Sequence, residues 1–533
     1  MLRLLTRLCG TTLLLALAAC SGSSTPSSVH SSSTSRGTLA ENPPLRIASL
    51  DAATLQADLS ATPSGAQLLQ ITGAPICGVD FYYLQFWTVG GANESTESSG
   101  ALMVPTGSAA ACSGPRPIVL YAHGTQTNKA ANIADITDPN NAEGALIAAM
   151  FAAQGYIVVA PNYAGYDTST LGYHPYLDAT QQSDEMIDIL AAARSALPNT
   201  LASATSDNGK LFVTGYSEGG YVAMATQRAL IASGATVTAA APMSGPYAVE
   251  AFGDAIFFGH VDLGSTVFAP LLTTAYQHAY GDIYTTTSDV YSPTYASGID
   301  TLLPSTMPIA TIFASNLLPQ TALFDSATPT VTIPGNAALS AQLTAALAVP
   351  SDPNNPDTPL FDLGFGSSYL INNAYRVSYA LDAAADPDGA VPTPSAGVPL
   401  AAVEPTQTLR KAFYLNDMRY GAWAPNSPTL LCGGDQDPTV FFQVNTGTMQ
   451  AYWSGTPAAP LISVLDVSAP PAGPFSAVQT AFQQSQAAEL AYYESAAGGG
   501  NSPAAAAQLL VEGYHSSVAP FCSLAARSFF SQF

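Results

Sequence analysis

The sequence predicts an α/β fold, a mostly parallel sheet with helices on both faces, interrupted by a large insertion. Between residues 75 and 246, short apolar runs alternate with segments of helical periodicity. The alternation lapses over residues 247–410, where aromatic-rich helical pieces and loops rich in Pro, Asp and Asn replace it, and it then returns. We therefore expect a core made of residues 45–246 and 411–533, with residues 247–410 inserted as a cap or lid.

The first predicted elements of the core are strands. Residues 81–89 are aromatic and β-branched, residues 91–100 form a polar turn, and residues 101–105 resume the strand pattern. Residues 118–122 are a short apolar run between Pro117 and His123, as expected of a strand buried on both faces. This stretch therefore predicts a strand hairpin followed by the first parallel strand.

Helices and buried strands alternate after that point. The predicted helices are residues 142–153, 184–197 and 218–232; the predicted strands are residues 156–160, 211–214, 237–241 and, after the insertion, 428–432. Strands joined through helices pair in parallel, because the helical crossover returns the chain to the same edge of the sheet.

A pentapeptide with chemical meaning lies between the predicted strand 211–214 and the helix that follows it. It reads Gly215-Tyr216-Ser217-Glu218-Gly219. In a strand–turn–helix of this kind the serine takes a strained conformation that exposes its hydroxyl, and the flanking glycines avoid clashes in the tight turn. The helix N-terminus behind it favours developing negative charge. Ser217 is therefore the predicted nucleophile.

A serine nucleophile needs a base near neutral pH, and the chain has six histidines. One lies near the N-terminus, His123 lies upstream of the serine, and three others lie in loops or in the insertion. His515, which we expect ahead of a final helix, is the predicted base. Two aspartates, Asp435 and Asp437, follow the strand 428–432 and compete for the role of the acid that orients the histidine.

An oxyanion hole needs two main-chain donors that point at the developing charge. The N–H of Glu218, next after the nucleophile, is one candidate. The second donor should come from the loop after the strand 118–122. By position Thr125 is the predicted residue, with Gln126 as the alternative, and His123 is expected to stabilise this loop.

The motifs together resemble a known superfamily. Residues 121–125 read Tyr-Ala-His-Gly-Thr, residues 155–165 read Gly-Tyr-Ile-Val-Val-Ala-Pro-Asn-Tyr-Ala-Gly, and both the turn at Ser217 and residues 432–440 fit the same pattern. The chain resembles the α/β-hydrolases and, more narrowly, secreted bacterial lipases and esterases similar to fungal lipase A. The resemblance covers roughly residues 75–245 and 410–533.

Several expectations follow from the resemblance. It implies an α/β-hydrolase fold, the chain order nucleophile, acid and histidine, and Asp437 as the acid, because the spacing Gly434-x-x-Asp437-x-x-Val440 matches the acid loop of that fold. The insertion occupies the position of a cap or lid. Relatives often carry Asp where this chain has Asn162, a change outside the triad that would alter local loop contacts.

The N-terminal sequence has the pattern expected of an export signal. Arg3 and Arg7 precede an apolar run that is too short to cross a bilayer, and Leu-Ala-Ala-Cys at residues 17–20 resembles a bacterial lipobox. We expect residues 1–19 to be a lipoprotein signal peptide, Cys20 to be lipidated and residues 20–44, rich in Ser and Thr, to be a tether. An ordinary secretory signal is the alternative. The expected location is the bacterial outer membrane, or outside the cell.

Four cysteines remain after the signal region, namely Cys77, Cys112, Cys432 and Cys522. An even number in an exported chain favours two disulfides, for which three pairings are possible. We favour Cys77 with Cys112 and Cys432 with Cys522, since each pair would brace one end of the catalytic domain. A zinc site is the weaker alternative because the sequence has no CxxC pair.

These residues predict a carboxylic ester hydrolase, an esterase or lipase, that forms an acyl-enzyme and needs no cofactor or metal. A serine peptidase on the same fold and a non-catalytic surface-binding lipoprotein are the alternatives. The expected partner is a small-molecule or lipid ester, for which five aromatic residues of the insertion could line an acyl site or form the core of the cap: Phe252, Phe257, Phe258, Phe268 and Tyr276. The formal charge of -23 excludes nucleic acid as a favoured partner, and we expect a monomer that meets a membrane only through its lipid anchor.

Overall fold

The computed structural model describes residues 35–199, 203–352, 355, 357–385, 404–421 and 423–533. The predicted signal peptide, Cys20 and residues 20–34 of the predicted tether lie outside the described residues. Within the described ranges, no helix is both long and apolar enough to cross a bilayer.

The part of the core before the insertion alternates strands and helices. Its elements are β1 (Leu45–Leu50), α1 (Ala52–Ser60), α2 (Pro63–Thr72), β2 (Gly78–Val89), β3 (Ser95–Thr106), β4 (Gly114–Ala122), α3 (Ala142–Met150), β5 (Ile157–Pro161), α4 (Ala179–Asn199), β6 (Thr205–Tyr216), α5 (Glu218–Ala232) and β7 (Ala239–Met243).

The remaining chain first forms mostly helices and then completes the sheet. The elements between β7 and the end of the predicted insertion are α6 (Val249–Phe257), α7 (Ser265–Tyr280), α8 (Thr287–Val290), α9 (Ile309–Ala314), β8 (Phe324–Asp325), α10 (Ala337–Ala346), α11 (Thr358–Asp362), β9 (Phe365–Gly366) and α12 (Asn373–Ala385). Those that follow are α13 (Thr408–Asn416), β10 (Thr429–Gly433), α14 (Thr448–Ser454), β11 (Ile462–Asp466), α15 (Ser476–Glu494) and α16 (Pro503–Phe530).

The main sheet of the described chain has nine strands in the order β1-β2-β3-β5-β4-β6-β7-β10-β11. The first three strands and β5 pair antiparallel, and β5, β4, β6, β7, β10 and β11 run parallel. The parallel strands end at one edge, so the loops after β4, β6 and β10 meet there. Strands β8 and β9 pair with each other in a separate two-stranded sheet.

Helices cover both faces of the main sheet. One core cluster joins the sheet to α4 and α5, with Met186 and Val222 fully buried. The other joins it to α3, α15 and α16, through side chains such as Ile147, Phe482 and Phe521. This confirms the predicted α/β-hydrolase fold with a mostly parallel sheet. The boundaries of the inserted cap, residues 247–410, stay a prediction.

Three local predictions need correction. Strand β3 begins at Ser95, within the predicted polar turn 91–100, because its buried serines find acceptors: Ser98 Oγ donates to Glu185 Oε1 (2.6 Å) and Ser99 Oγ to Asp167 Oδ2 (2.6 Å). His515 lies inside α16 and not ahead of a final helix. The glycine at position 513 does not end that helix, since Gly costs only about 1 kcal/mol relative to Ala and burial of the side chains beyond it offsets this.

The third correction concerns the end of the predicted tether. Gly37 N donates to Trp87 O (2.9 Å) and Ala40 N to Gln85 O (2.8 Å), so these residues pair with β2. Arg36 forms ion pairs with Asp184 (2.7 Å) and Asp188 (3.0 Å) of α4. Residues 36–40 therefore belong to the domain.

Both favoured disulfides are present. Cys77 is bonded to Cys112, with Cα atoms 5.3 Å apart, and Cys432 to Cys522, with Cα atoms 5.6 Å apart. The second bond joins β10 to α16, the elements that carry or precede Asp437 and His515. None of the four thiols is left for the alternative zinc site.

Candidate active site

Ser217 lies in the turn between β6 and α5, near the middle of the sheet. Its backbone has φ 60° and ψ -123°, which L-residues rarely adopt. A Cβ on Gly219 would clash with the carbonyl oxygen of Ala122, and one on Gly215 with that of Gly219. The two glycines are therefore required by close approach of the main chain at this turn.

Ser217, His515 and Asp437 are hydrogen bonded in series. His515 Nε2 is 2.8 Å from Ser217 Oγ, and His515 Nδ1 is 2.6 Å from Asp437 Oδ2. Tyr216 holds the histidine from below, since its hydroxyl donates to the main-chain oxygen of His515. The structure thus brings together the three residues selected from the sequence.

The two competing aspartates have different surroundings. The side chain of Asp437 is 1% exposed, and its Oδ1 accepts hydrogen bonds from Thr439 N (2.9 Å) and Val440 N (3.1 Å). Asp435 is exposed, and its Oδ1 accepts a bond from Gln443 Nε2 (2.9 Å). Asp437 is therefore the carboxylate that faces the imidazole.

The loop after β4 passes beside Ser217. A Cβ built on Gly124 would lie 3.6 Å from Ser217 Cβ. The N–H of Thr125 donates to no other atom of the described chain, while its hydroxyl is 2.8 Å from Tyr176 Oη. Glu218 is the first residue of α5, so its N–H has no acceptor within the helix. One main-chain donor directly after Ser217 and one on the neighbouring loop are thus available for a ligand.

His123 occupies the structural position expected of it. Its Nδ1 is 2.7 Å from Gly124 O and its Nε2 is 3.2 Å from Asn162 O. Both ring nitrogens contact main-chain carbonyls, which ties the loop after β4 to the end of β5.

Ser217 lines an apolar cavity of about 820 Å³, a volume that includes the mouth of the cavity. Most of its lining comes from α6, α7 and α13. Of the five aromatic residues considered in the sequence, Phe252, Phe257 and Phe268 line the cavity. The other two, Phe258 and Tyr276, are buried in the core.

Comparison with known proteins agrees with this geometry. A model of the prolyl oligopeptidase family matches residues 144–247, which include the turn at Ser217. The crystal structure of the rice cell wall degrading esterase LipA from Xanthomonas oryzae is 25% identical in sequence, and the match covers 81% of this chain and 91% of LipA with a TM-score of 0.58. The protein is an α/β-hydrolase.

Other matches are more distant. A Legionella pneumophila protein described as a proposed hydrolase is 16% identical, with 92% of this chain and 96% of that one covered and a TM-score of 0.55, which supports the fold. Candida antarctica lipase A is 13% identical over 81% of this chain and 76% of its own, with a TM-score of 0.42, a likeness that supports no inference. No curated protein matches the sequence of this α/β-hydrolase.

A carboxyl group that the sequence does not single out supports the loop after β4 of this α/β-hydrolase. Gly124 N donates to Glu143 Oε1 (3.1 Å) and Oε2 (3.2 Å), and Tyr121 Oη donates to Oε1 (2.7 Å). Burial raises the pKa of Glu143. In the sequence, Glu143 stands at the end of a turn rich in Asp and Asn, and nothing there indicates that its partner is nineteen residues away.

A second buried cluster holds the side chain of Glu218. Its Oε1 is 2.7 Å from His174 Nε2 and accepts a hydrogen bond from Gln182 Nε2 (2.7 Å). His174 Nδ1 is 3.0 Å from Ala164 O. The sequence placed His174 only in a loop, and its partner lies 44 residues away.

Asn162, the departure from the superfamily pattern, has a structural role. Its Oδ1 accepts a hydrogen bond from Ile133 N (2.7 Å), and its Nδ2 donates to Ser99 Oγ (2.9 Å). An amide can accept and donate at once, which a carboxylate cannot. Asn162 in place of Asp therefore affects the contacts of the loop after β4 and makes no hydrogen bond to Ser217.

Proposed function

We propose that this α/β-hydrolase cleaves carboxylic esters, with Ser217 as nucleophile, His515 as general base and acid, and Asp437 as the residue that orients the histidine. The observation that carries the proposal is the pair of hydrogen bonds from Ser217 Oγ to His515 Nε2 (2.8 Å) and from His515 Nδ1 to Asp437 Oδ2 (2.6 Å), beside an apolar cavity that Ser217 lines.

The proposed reaction has two steps. Ser217 Oγ attacks the ester carbonyl carbon while its proton passes to His515 Nε2, and the N–H groups of Glu218 and Thr125 stabilise the negative oxygen. The C–O bond then breaks, and His515 gives the proton to the leaving alcohol. Water repeats the sequence at the acyl-enzyme, and the acid leaves. No step requires a metal or cofactor.

The cavity supports an acyl group as its occupant. Its walls of Phe252, Phe257 and Phe268 are apolar, and its lining includes Ser217, beside which the ester carbonyl carbon must sit. Pockets with mostly apolar walls commonly bind small-molecule ligands. The likeness to LipA, an esterase, also favours ester over amide substrates.

Labelling with a fluorophosphonate tests the nucleophile. We expect one adduct, mapped to Ser217, and none in Ser217→Ala. Hydrolysis of p-nitrophenyl esters of increasing chain length should depend on the same residue. A folded wild-type protein that neither reacts with the probe nor cleaves any ester of the series would refute the proposal and favour a non-catalytic binding protein.

Peptide bonds are the second candidate substrate, because the family model that matches residues 144–247 is that of the prolyl oligopeptidases. That match spans elements which hydrolases of this fold share, and it ends before the cavity walls on α6 and α7. For each substrate, the rate with the protein would be divided by the rate of its hydrolysis by hydroxide alone. A larger ratio for peptide p-nitroanilides than for the esters would replace the ester proposal with this one.

We also infer that the protein is exported, since both disulfides would be reduced in most bacterial cytosols. Lipidation of Cys20 and a monomeric state stay predictions.

A further inference from the structure

The wall of the apolar cavity contains two buried carboxyl groups that the proposed reaction does not use, those of Glu218 and Asp262. Asp262 lines the cavity and is 4% exposed. Its Oδ1 accepts a hydrogen bond from Ser265 Oγ. Its Oδ2 is buried and accepts none from any other residue that the structure describes. One of the two oxygens of this carboxyl group is therefore without a hydrogen-bond partner in the described chain.

Two other polar side chains of the wall already have hydrogen-bond partners. The hydroxyl of Thr273 is hydrogen bonded to Tyr291 Oη, and Glu218 Oε1 lies 2.7 Å from both His174 Nε2 and Gln182 Nε2, although Glu218 Oε2 is buried without a hydrogen-bond partner in the described chain. Ser265 donates to Asp262 itself. A ligand in the cavity would therefore meet Asp262 as a polar group with an open position.

Asp262 lies at the end of the cavity near the triad. The next residue, Leu263, donates its N–H to the main-chain oxygen of Pro438 (3.0 Å), which follows Asp437 directly. Thr439, on the same loop, also lines the cavity. A substrate group that binds Asp262 would therefore be attached to the acyl chain close to its carboxyl end.

The electrostatic surroundings keep this acid partly neutral. Burial raises the pKa of Asp262 to about 7, and the negative charge of Asp437 acts in the same direction, although Ser265 favours the charged form. No salt bridge to Asp262 occurs among the residues described here. A hydroxyl group suits this site in both protonation states, because it accepts from the neutral acid and donates to the carboxylate.

We propose that Asp262 binds a hydroxyl group on the acyl chain, so that the protein prefers esters of hydroxylated acids to esters of unsubstituted acids of the same length. The inference rests on the proposed ester hydrolysis. A few placed polar groups in an otherwise apolar pocket commonly set specificity in this way.

The experiment uses ethyl esters of one medium-chain acid, unsubstituted or with a hydroxyl moved carbon by carbon along the chain, each enantiomer separately, with the acid product measured by chromatography. We expect kcat/KM to rise roughly five- to tenfold at one position near the carboxyl group and for one enantiomer, as a single net hydrogen bond would give. Asp262→Leu should bring the ratio of hydroxylated to plain ester close to one.

Thr273→Val serves as the matched control, since it removes a cavity hydroxyl that is already bonded to Tyr291. We expect it to keep the ratio. Asp262→Val replaces the leucine variant if that variant does not fold, and the positional peak in wild-type protein tests the inference without any substitution.

The outcomes separate the two proposals. No hydrolysis of any ester would overturn the proposed function. Hydrolysis of plain and hydroxylated esters at equal rates at every position, or a preference that survives in Asp262→Leu, would overturn this inference and leave the proposed function standing.

Discussion

The loop after β10 carries two carboxyl groups two residues apart, and Asp437 is the one that reaches His515. We expect Asp437→Asn to lower kcat/KM about 10³- to 10⁴-fold, because an amide cannot balance the charge of the imidazolium and can hold the wrong tautomer. Asp435→Asn is the matched control and should stay within about twofold, as its side chain contacts Gln443 on the surface. Equal losses in the two variants would contradict the assignment, and melting temperatures would show whether both fold.

Glu143 supports one predicted donor of the oxyanion hole through the N–H of Gly124. Glu143→Leu removes this acceptor, and we expect kcat to fall by about tenfold or more while KM changes little, since a misplaced donor weakens transition-state binding most. Glu143→Gln keeps an amide oxygen for Gly124 N and should restore most of the activity. A parallel rise in KM, or no rescue by Gln, would point to a general loss of structure.

At the residue scale, the sequence was informative where a residue type and a spacing define a role. Ser217 stands in a turn with a strict pattern, and Asp437 stands at the spacing of the acid loop. Glu143 and His174 could not be found this way. Their roles come from contacts across 19 and 44 residues of chain, and the partner of Glu143 is a main-chain N–H that any residue could provide.

At the element scale, the bond between Cys432 and Cys522 joins β10 to α16. We expect replacement of both by Ala to cost about 2–5 kcal/mol and to lower activity at temperatures below global unfolding, because the acid and the histidine then lose a covalent link. Removal of Cys77 and Cys112 is the control: it should lower stability without this early loss of activity. Activity and circular dichroism measured against temperature would distinguish them, and the same curve for both variants would contradict the prediction.

The start of α4 supplies a pH-dependent contribution to stability. Asp178 is buried and accepts hydrogen bonds from Thr180 N and Gln181 N (3.1 Å each), yet burial raises its pKa to about 6. The folded protein therefore holds this proton more tightly than the unfolded chain, so the stability is fully present below about pH 4 and is lost as pH rises through about 6. The loss could reach roughly 3 kcal/mol, at about 1.4 kcal/mol per pKa unit.

Asp178→Asn keeps an acceptor for the two N–H groups and removes the titration. We therefore expect its free energy of unfolding, measured with urea at about pH 4 and about pH 8, to fall less than that of the wild type. A fall of equal size in the two proteins would show that Asp178 is not responsible. Asp262, with its raised pKa, would still contribute to the decline in both.

Two element boundaries, in α16 and in β3, differ from those that the sequence predicts. His515 was expected ahead of a final helix, but it lies within α16, which runs on through it because Tyr514, Val518 and Phe521 are buried along one side of the helix. Likewise, polar Ser98 and Ser99 suggested a turn, whereas acids from elsewhere in the chain accept their hydroxyl protons within β3. Both errors arise because tertiary contacts override a local pattern.

At the scale of the whole molecule, alternation of strands and helices was sufficient to predict the parallel sheet. The cavity could not be predicted in detail, because it is formed largely by helices α6, α7 and α13, and the sequence pattern does not show how these helices pack together. Aromatic residues alone could not show that Phe257 lines the cavity and the adjacent Phe258 does not. A one-residue step on a helix changes the face that a side chain occupies.

Attachment of a lipid to Cys20 is a prediction about the whole exported chain. We expect radiolabelled palmitate to be incorporated into the wild type and not into Cys20→Ser, with Cys9→Ser as a control that keeps the label. Label that persists in Cys20→Ser would leave an ordinary secretory signal as the better interpretation. Fractionation of the envelope would then show whether the protein is released.

The pairing of residues 36–40 with β2 limits how far the domain could lie from a lipid attached to Cys20. If Cys20 carries the lipid, the chain between it and the domain is about 15 residues long, and fully extended it spans no more than about 50 Å. The active site could then meet only esters within a shell close to the bilayer, such as envelope components or molecules that diffuse to it. If Cys20 is lipidated, substrate would therefore be encountered at the surface of the cell and not in the surrounding medium.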